Sequence, residues 1–197
     1  MFNKKVITFT GDVSHYITKY PEQGFKKKQQ VEVPNNYELV LIAEDGTTEV
    51  IRNQYVVKLK EPYRFMYFVK NNKKIIKTNW GTASRIQTKT KQNETVSIGG
   101  YGTIEFRMVN AIRLISYRMN NDAFIDEELL IEMLLSKLPE VLADAVDTLG
   151  LIDAEDINAL QKDLKEQTLE KLKHQGTLMG LDIADFVIEH INVQAVD

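Results

Sequence analysis

The chain has 197 residues, 43% of them hydrophobic and 27% charged, which suits a water-soluble globular protein with one sizeable core or two small linked ones. It contains no cysteine, which excludes disulfides, thiolate catalysis and cysteine-bound zinc. The net charge of −3 hides a division: residues 1–120 hold 20 Lys/Arg against 10 Asp/Glu, and residues 121–197 hold 5 against 18. Such asymmetry bears on surfaces and association, and it suggests basic and acidic regions that either meet head to tail between copies or are simply solvated.

The start, Met1-Phe2-Asn3-Lys4-Lys5-Val6, turns polar at Thr8 and Thr10 and reads as no secretory apolar segment. The longest apolar runs, Leu39 to Ala43 and Phe65 to Val69, are far too short to span a bilayer. Short strands are predicted at Val6–Thr10, Gln29–Val33, Tyr37–Ala43 and Thr47–Arg52. Between the last two, Asp45-Gly46 predicts a hairpin with a type I′ turn. More strands follow at Tyr55–Leu59, Phe65–Val69, Lys74–Thr78, Arg85–Thr90, Thr95–Ile98 and Thr103–Met108, as in an antiparallel meander. Four of the ten glycines and the only tryptophan lie in Trp80-Gly81-Thr82 and Gly99-Gly100-Tyr101-Gly102. Glycine within a strand pattern marks a bulge or a close backbone approach, so this stretch specifies backbone shape.

After residue 110 the period becomes helical. A short helix is expected over Asn110–Tyr117, then a longer one opened by Asp126, Glu127 and Glu128 and interrupted, with a kink or restart, at Pro139. Gly150 ends it, and Asp153 is placed to cap the next, whose apolar stripe is Leu160, Leu164, Thr168, Leu172 and Met179. Neither stripe sustains a heptad, so packing onto a sheet is expected, with Gly176 allowing close approach. Gly180 stops the helix, and Leu181 to Val193 reads as a closing strand that is buried on both faces or bulged near Ala184-Asp185.

Chemistry-bearing patterns are sparse. Glycines 99, 100 and 102 fail G-x-G-x-x-G because position 105 is Glu, and a strand follows where a phosphate loop needs a helix. His15, His174 and His190 fall in different elements without metal-site spacing, and Asp12, Ser14 and His15 lie too close in sequence for a converging triad. A carboxylate site at Asp185 and Glu189 would need the bulge; polar strand-edge positions are the simpler reading. The best candidate surface is Arg64, Phe65, Tyr67, Lys70, Lys73, Lys74 and Lys77, where cations and rings interleave as for anionic lipid headgroups. The same pattern suits a nucleic-acid backbone less well, and its simplest reading is a buried aromatic face with solvated lysines.

Taken together, Trp80-Gly81-Thr82, the strand Gly100-Tyr101-Gly102-Thr103-Ile104-Glu105-Phe106-Arg107 and the close from Gly180 to Ile191 resemble the SPFH, band 7 or prohibitin-homology domain of stomatins, prohibitins and flotillins. The similarity runs from about Gln30 to Val193 and is nearest the bacterial branch labelled virion-core-protein-like. The resemblance implies an α+β fold over residues 1–197 as a single domain: a β-rich part (1–109), a helical part (110–180) with two main helices, and a closing strand (181–194) returning to the sheet. It further implies a homo-oligomeric, membrane-associated scaffold with no catalysed reaction, cofactor, metal or small-molecule substrate. Its contacts would be an anionic membrane or a membrane protein, not nucleic acid. Its place would be the cytoplasm, peripheral at the inner face of the plasma membrane. Trp80, Gly81, Thr82, Gly100, Tyr101, Gly102, Phe106 and Gly180 would be its structural motif residues. The transmembrane or acylated N-terminus, coiled coil and zinc ribbon of many members are not read in these residues. A soluble shell-like oligomer is the alternative, and an unrecognised hydrolase or nucleotide-binding enzyme a third.

Overall fold

A computed structural model describes residues 6–118 and 122–196 of the chain, so the polar start at 1–5 lies outside the described residues. In order, the strands of the first half are β1 (Ile7–Thr8), β2 (Ile17–Lys19), β3 (Gln30–Glu32), β4 (Tyr37–Ile42), β5 (Thr48–Ile51), β6 (Val56–Lys58), β7 (Phe65–Lys70), β8 (Ile76–Gly81), β9 (Ile86–Lys89) and β10 (Thr95–Met108). Helix α1 (Ala111–Arg118), β11 (Phe124–Ile125), α2 (Glu127–Leu135), α3 (Leu138–Leu149), α4 (Ile157–Met179) and β12 (Leu181–Ala195) follow. The fold is α+β, with antiparallel pairing nearly throughout and the last strand returning to a sheet, as expected. Two compact units make it up: residues 1–73 with 110–130, and residues 74–109 with 131–197.

The predicted meander is divided among three sheets. The first unit holds a five-stranded sheet ordered β11-β2-β7-β4-β5 and a three-stranded one ordered β1-β3-β6, where β1 and β3 run parallel. Alternation of apolar residues marks a strand but not its partner, which is why the grouping escaped the pattern. Side chains of both sheets, among them Val31, Leu39, Val57, Met66 and Phe68, share one core. The Asp45-Gly46 hairpin is present, but its turn is different. Only Gly46 has positive φ, and Ala43 N–H donates to Thr47 O, so a three-residue loop with glycine in the left-handed position replaces the type I′ turn. The Tyr63 hydroxyl donates to Glu49, and burial and then that carboxylate push its pKa up.

In the second unit β10 is one unbroken 14-residue strand, where a break at the glycines was expected. Along one side β12 accompanies it from Val96 to Met108; along the other lie β9, beside Thr95–Ile98, and β8, beside Tyr101–Phe106. Pairing with β12 holds all three glycines in the ladder, and β8 holds Gly102 from the other side. The long predicted helix restarts at Pro139, in the first turn of α3, where a missing N–H removes no helical bond. Asp156 caps α4 through Ala159 N–H; Asp153, the expected cap, instead accepts from Glu155 N–H and pairs with Lys91.

The stripe Leu160, Leu164, Thr168, Leu172 and Met179 is buried, and α4 packs on β12. Gly176 permits that packing, since a Cβ there would lie 2.9 Å from Ile183 Cγ1 and 3.1 Å from Leu181 O. Gly180 ends α4 at φ 86°, in the left-handed region. Replacing it with alanine is expected to cost about 1–2 kcal/mol, seen as a melting temperature lowered by about 2–8 °C. An unchanged melting temperature would show that the turn into β12 tolerates another geometry.

Candidate functional site

The second unit's sheet is shaped where β8, β10 and β12 pass Gly100 and Gly102. Register along β12 skips one residue at Ala184 and another at Glu189, so each is the extra residue of a β-bulge. Each bulge reverses the facing of the residues beyond it. As a result Leu181, Ile183, Phe186, Ile188 and Ile191 are all buried, although they do not share one parity. The two-sided pattern in the sequence is therefore one buried face, displaced twice.

Beside the second bulge the Val187 carbonyl leans over Gly102: a Cβ on Gly102 would lie 1.9 Å from that oxygen. A Cβ on Gly100 would lie 2.8 Å from His190 O. Trp80 lies across this glycine gap. Its ring is 4.8 Å from that of Phe186 at 21°, and its Nε1–H donates to Val187 O at 3.0 Å. The neighbouring carbonyl, Ile188 O, accepts from Gln161 Nε2 of α4 at 2.6 Å. Both carbonyls next to the bulge thus have side-chain donors, as buried polar groups require. Thr82 closes the corner, its N–H donating to Gly100 O and its Oγ1 accepting from Gly100 N–H. Phe106 is fully buried, whereas Tyr101 is exposed on the other face beside His190. Gly81 differs from its neighbours, for nothing approaches a Cβ there closer than 3.8 Å.

Next to this corner is a cleft of about 570 Å³. One wall is the stretch Asn79 to Ile86, and the other is Leu135, Leu138, Pro139, Leu142 and Ala143 at the end of α2 and the start of α3. The helical wall is wholly apolar, so polar groups enter only from Asn79, Thr82, Ser84 and Arg85. The Arg85 guanidinium donates through Nε to Ser97 Oγ, and through Nη2 to Ser97 O, Asn192 O and Asn192 Oδ1. Sequence reading passed over Arg85 and Gln161. The partners of Arg85 lie 12 and 107 residues away and that of Gln161 lies 27 away, and no local pattern announces them.

The basic and aromatic stretch is spread over both units. Arg64, Phe65, Tyr67, Lys70 and Lys73 belong to the first, and Lys74 and Lys77 to the second. Strand β7 is central in its sheet, and Tyr67 is only 3% exposed; burial pushes its hydroxyl pKa up. Phe65 is half-buried, with Lys19 and Arg64 over its ring at 4.7 and 4.9 Å. Lys70 Nζ donates to Val13 O, and Lys77 pairs with Glu105 at 3.1 Å. Arg64, Lys73, Lys74 and Lys77 are exposed.

The charge division persists inside the second unit. Residues 74–109 hold 6 Lys/Arg against 2 Asp/Glu, and residues 131–197 hold 5 against 14. Surface pairs such as Arg107–Asp182 at 2.8 Å join the two parts, each contributing on the order of 0–1 kcal/mol. Among the described residues no group of three or more His, Asp or Glu could hold a metal ion, and no helix is long and apolar enough to cross a membrane.

The profile of the SPFH domain-Band 7 family matches residues 52–196, about three quarters of the chain. No curated protein is significantly similar to it.

Proposed function

Because this chain belongs to the SPFH domain-Band 7 family, we propose that it is a non-enzymatic scaffold, acting as one domain, which self-associates and organises an assembly at a membrane surface. The observation that carries this reading is the family match over residues 52–196. The motif residues Trp80, Thr82, Gly100 and Gly102 engage or closely approach backbone, as a shape-specifying motif would. We assign it to the bacterial virion-core-protein-like branch on Trp80-Gly81-Thr82 and Tyr101 to Arg107. Its setting in this reading is the cytoplasm, at the inner face of the plasma membrane.

Head-to-tail contact between the basic strand segment 74–109 of one copy and the acidic segment 131–197 of another would drive association. Light scattering is expected to show oligomers at low salt that dissociate near 1 M salt, where the screening length falls to about 3 Å. A strict monomer at every concentration and salt would overturn self-association. Membrane contact is assigned to the exposed cations, each contributing on the order of 1 kcal/mol near an anionic surface. Flotation with phosphatidylserine vesicles is expected for the intact chain and is expected to weaken in Arg64→Glu/Lys73→Glu and in Lys74→Glu/Lys77→Glu. Oligomers that fail to float would favour the soluble shell-like alternative.

A further inference from the structure

We propose that the cleft between the Trp80 corner and α3 binds a single-chain amphiphile with an anionic head, a fatty acid being the simplest. This goes beyond the scaffold reading and does not depend on it. The cleft, at about 570 Å³, falls within the range of roughly 300–1,000 Å³ typical of small-ligand pockets, which are mostly apolar with a few placed polar groups. Its polarity is one-sided. Leu135, Leu138, Pro139, Leu142 and Ala143 offer an alkyl chain a wall without a donor or acceptor side chain. Polar residues line only the opposite wall: Asn79, Thr82, Ser84 and Arg85.

Charge selects the head. Arg85 is exposed, and among the described residues it has no carboxylate partner; its bonds run to the neutral Ser97 and Asn192 through Nε and Nη2. Its Nη1 lies over β10, 3.1 Å from where a Gly99 Cβ would stand. A carboxylate at the mouth would supply the missing counter-charge, and an Arg–carboxylate contact is stronger than one between neutral groups. A protein partner fits less well, because a pocket of this size receives one chain or side chain and not the broad surface that a stable protein interface needs.

The only tryptophan of the chain lines the cleft, so it reports occupancy directly. Brominated hexadecanoic acid, added below its micellar concentration, is expected to quench Trp80 saturably. The matching brominated hexadecanol is expected to bind about tenfold more weakly, for want of the charge-assisted bond. Arg85→Gln should erase the preference for the acid, and Arg85→Lys should keep part of it. Ala143→Phe, which fills the cleft from α3, should abolish quenching by both, with its fold verified by circular dichroism. Absence of saturable quenching overturns the proposal, as does quenching that survives a folded Ala143→Phe. Equal binding of acid and alcohol overturns the anionic head. Should Ala143→Phe fail to fold, the comparison of acid and alcohol in Arg85→Gln still decides, since unchanged acid preference there refutes the site. Vesicle flotation does not enter these readouts, so they can fail without the scaffold reading failing.

Discussion

Gly102→Ala is expected to destabilise the second unit by at least about 3 kcal/mol, the upper part of the range for forced overpacking. The added Cβ would stand 1.9 Å from Val187 O and 2.9 Å from Val187 C. Both are backbone atoms of a paired strand, so neither can swing away as a side chain end would. Relief requires β12 to move off β10, and with it the Trp80 bond to Val187 O. For a chain of this length each kcal/mol corresponds to about 2–4 °C, so the melting temperature should fall by roughly 10 °C. Amide exchange along residues 181–195 should accelerate more than exchange along β4 and β7. Gly81→Ala is the control: it lies in the same motif, but its Cβ would meet nothing nearer than 3.8 Å, and its cost should stay within about 0.5 kcal/mol. Equal melting temperatures for the two variants would refute the crowding argument.

Trp80→Ala should cost about 3–5 kcal/mol, and Trp80→Phe about 1–3 kcal/mol. Alanine removes the ring that fills the glycine gap and stacks on Phe186. Phenylalanine keeps a ring there but takes away the Nε1–H, leaving the Val187 carbonyl without that donor. The difference between the variants therefore separates packing from the hydrogen bond. Denaturant unfolding followed by circular dichroism measures both, since neither variant retains tryptophan fluorescence. A Trp80→Phe chain as stable as the parent would mean that the indole acts only as filler. Combining Trp80→Phe with Gly102→Ala should cost less than the sum of the two, because both act on the same carbonyl.

Local chemistry accounts for the elements that could be read in advance. The α4 stripe, the αL stop at Gly180, the restart at Pro139 and a bulge at Ala184 each follow from a few adjacent residues, and each is present. Glycines 100 and 102 were also legible as a place of close backbone approach. The identity of the approaching atoms was not. Val187 O and His190 O come from 85 to 90 positions further along, and a second bulge, at Glu189, is needed to bring Val187 O over Gly102. The basic and aromatic run shows the converse limit. Its composition left open an interleaved surface and a buried aromatic face with solvated lysines, and it is central pairing of β7 with β2 and β4 that buries Tyr67 and sets Phe65 between two cations.

By itself, then, the order of residues determined the helices, their stops and every strand but β2 and β11, and marked where backbone must come close, because those depend on side chains within about one turn or pleat of each other. Only the tertiary structure decided the three sheets and their partners, the Trp80–Val187 and Gln161–Ile188 bonds, and the cleft beside Arg85. These depend on which distant segments pair. Strand pairing is set by burial summed over whole sheets, and no short window of sequence carries that sum.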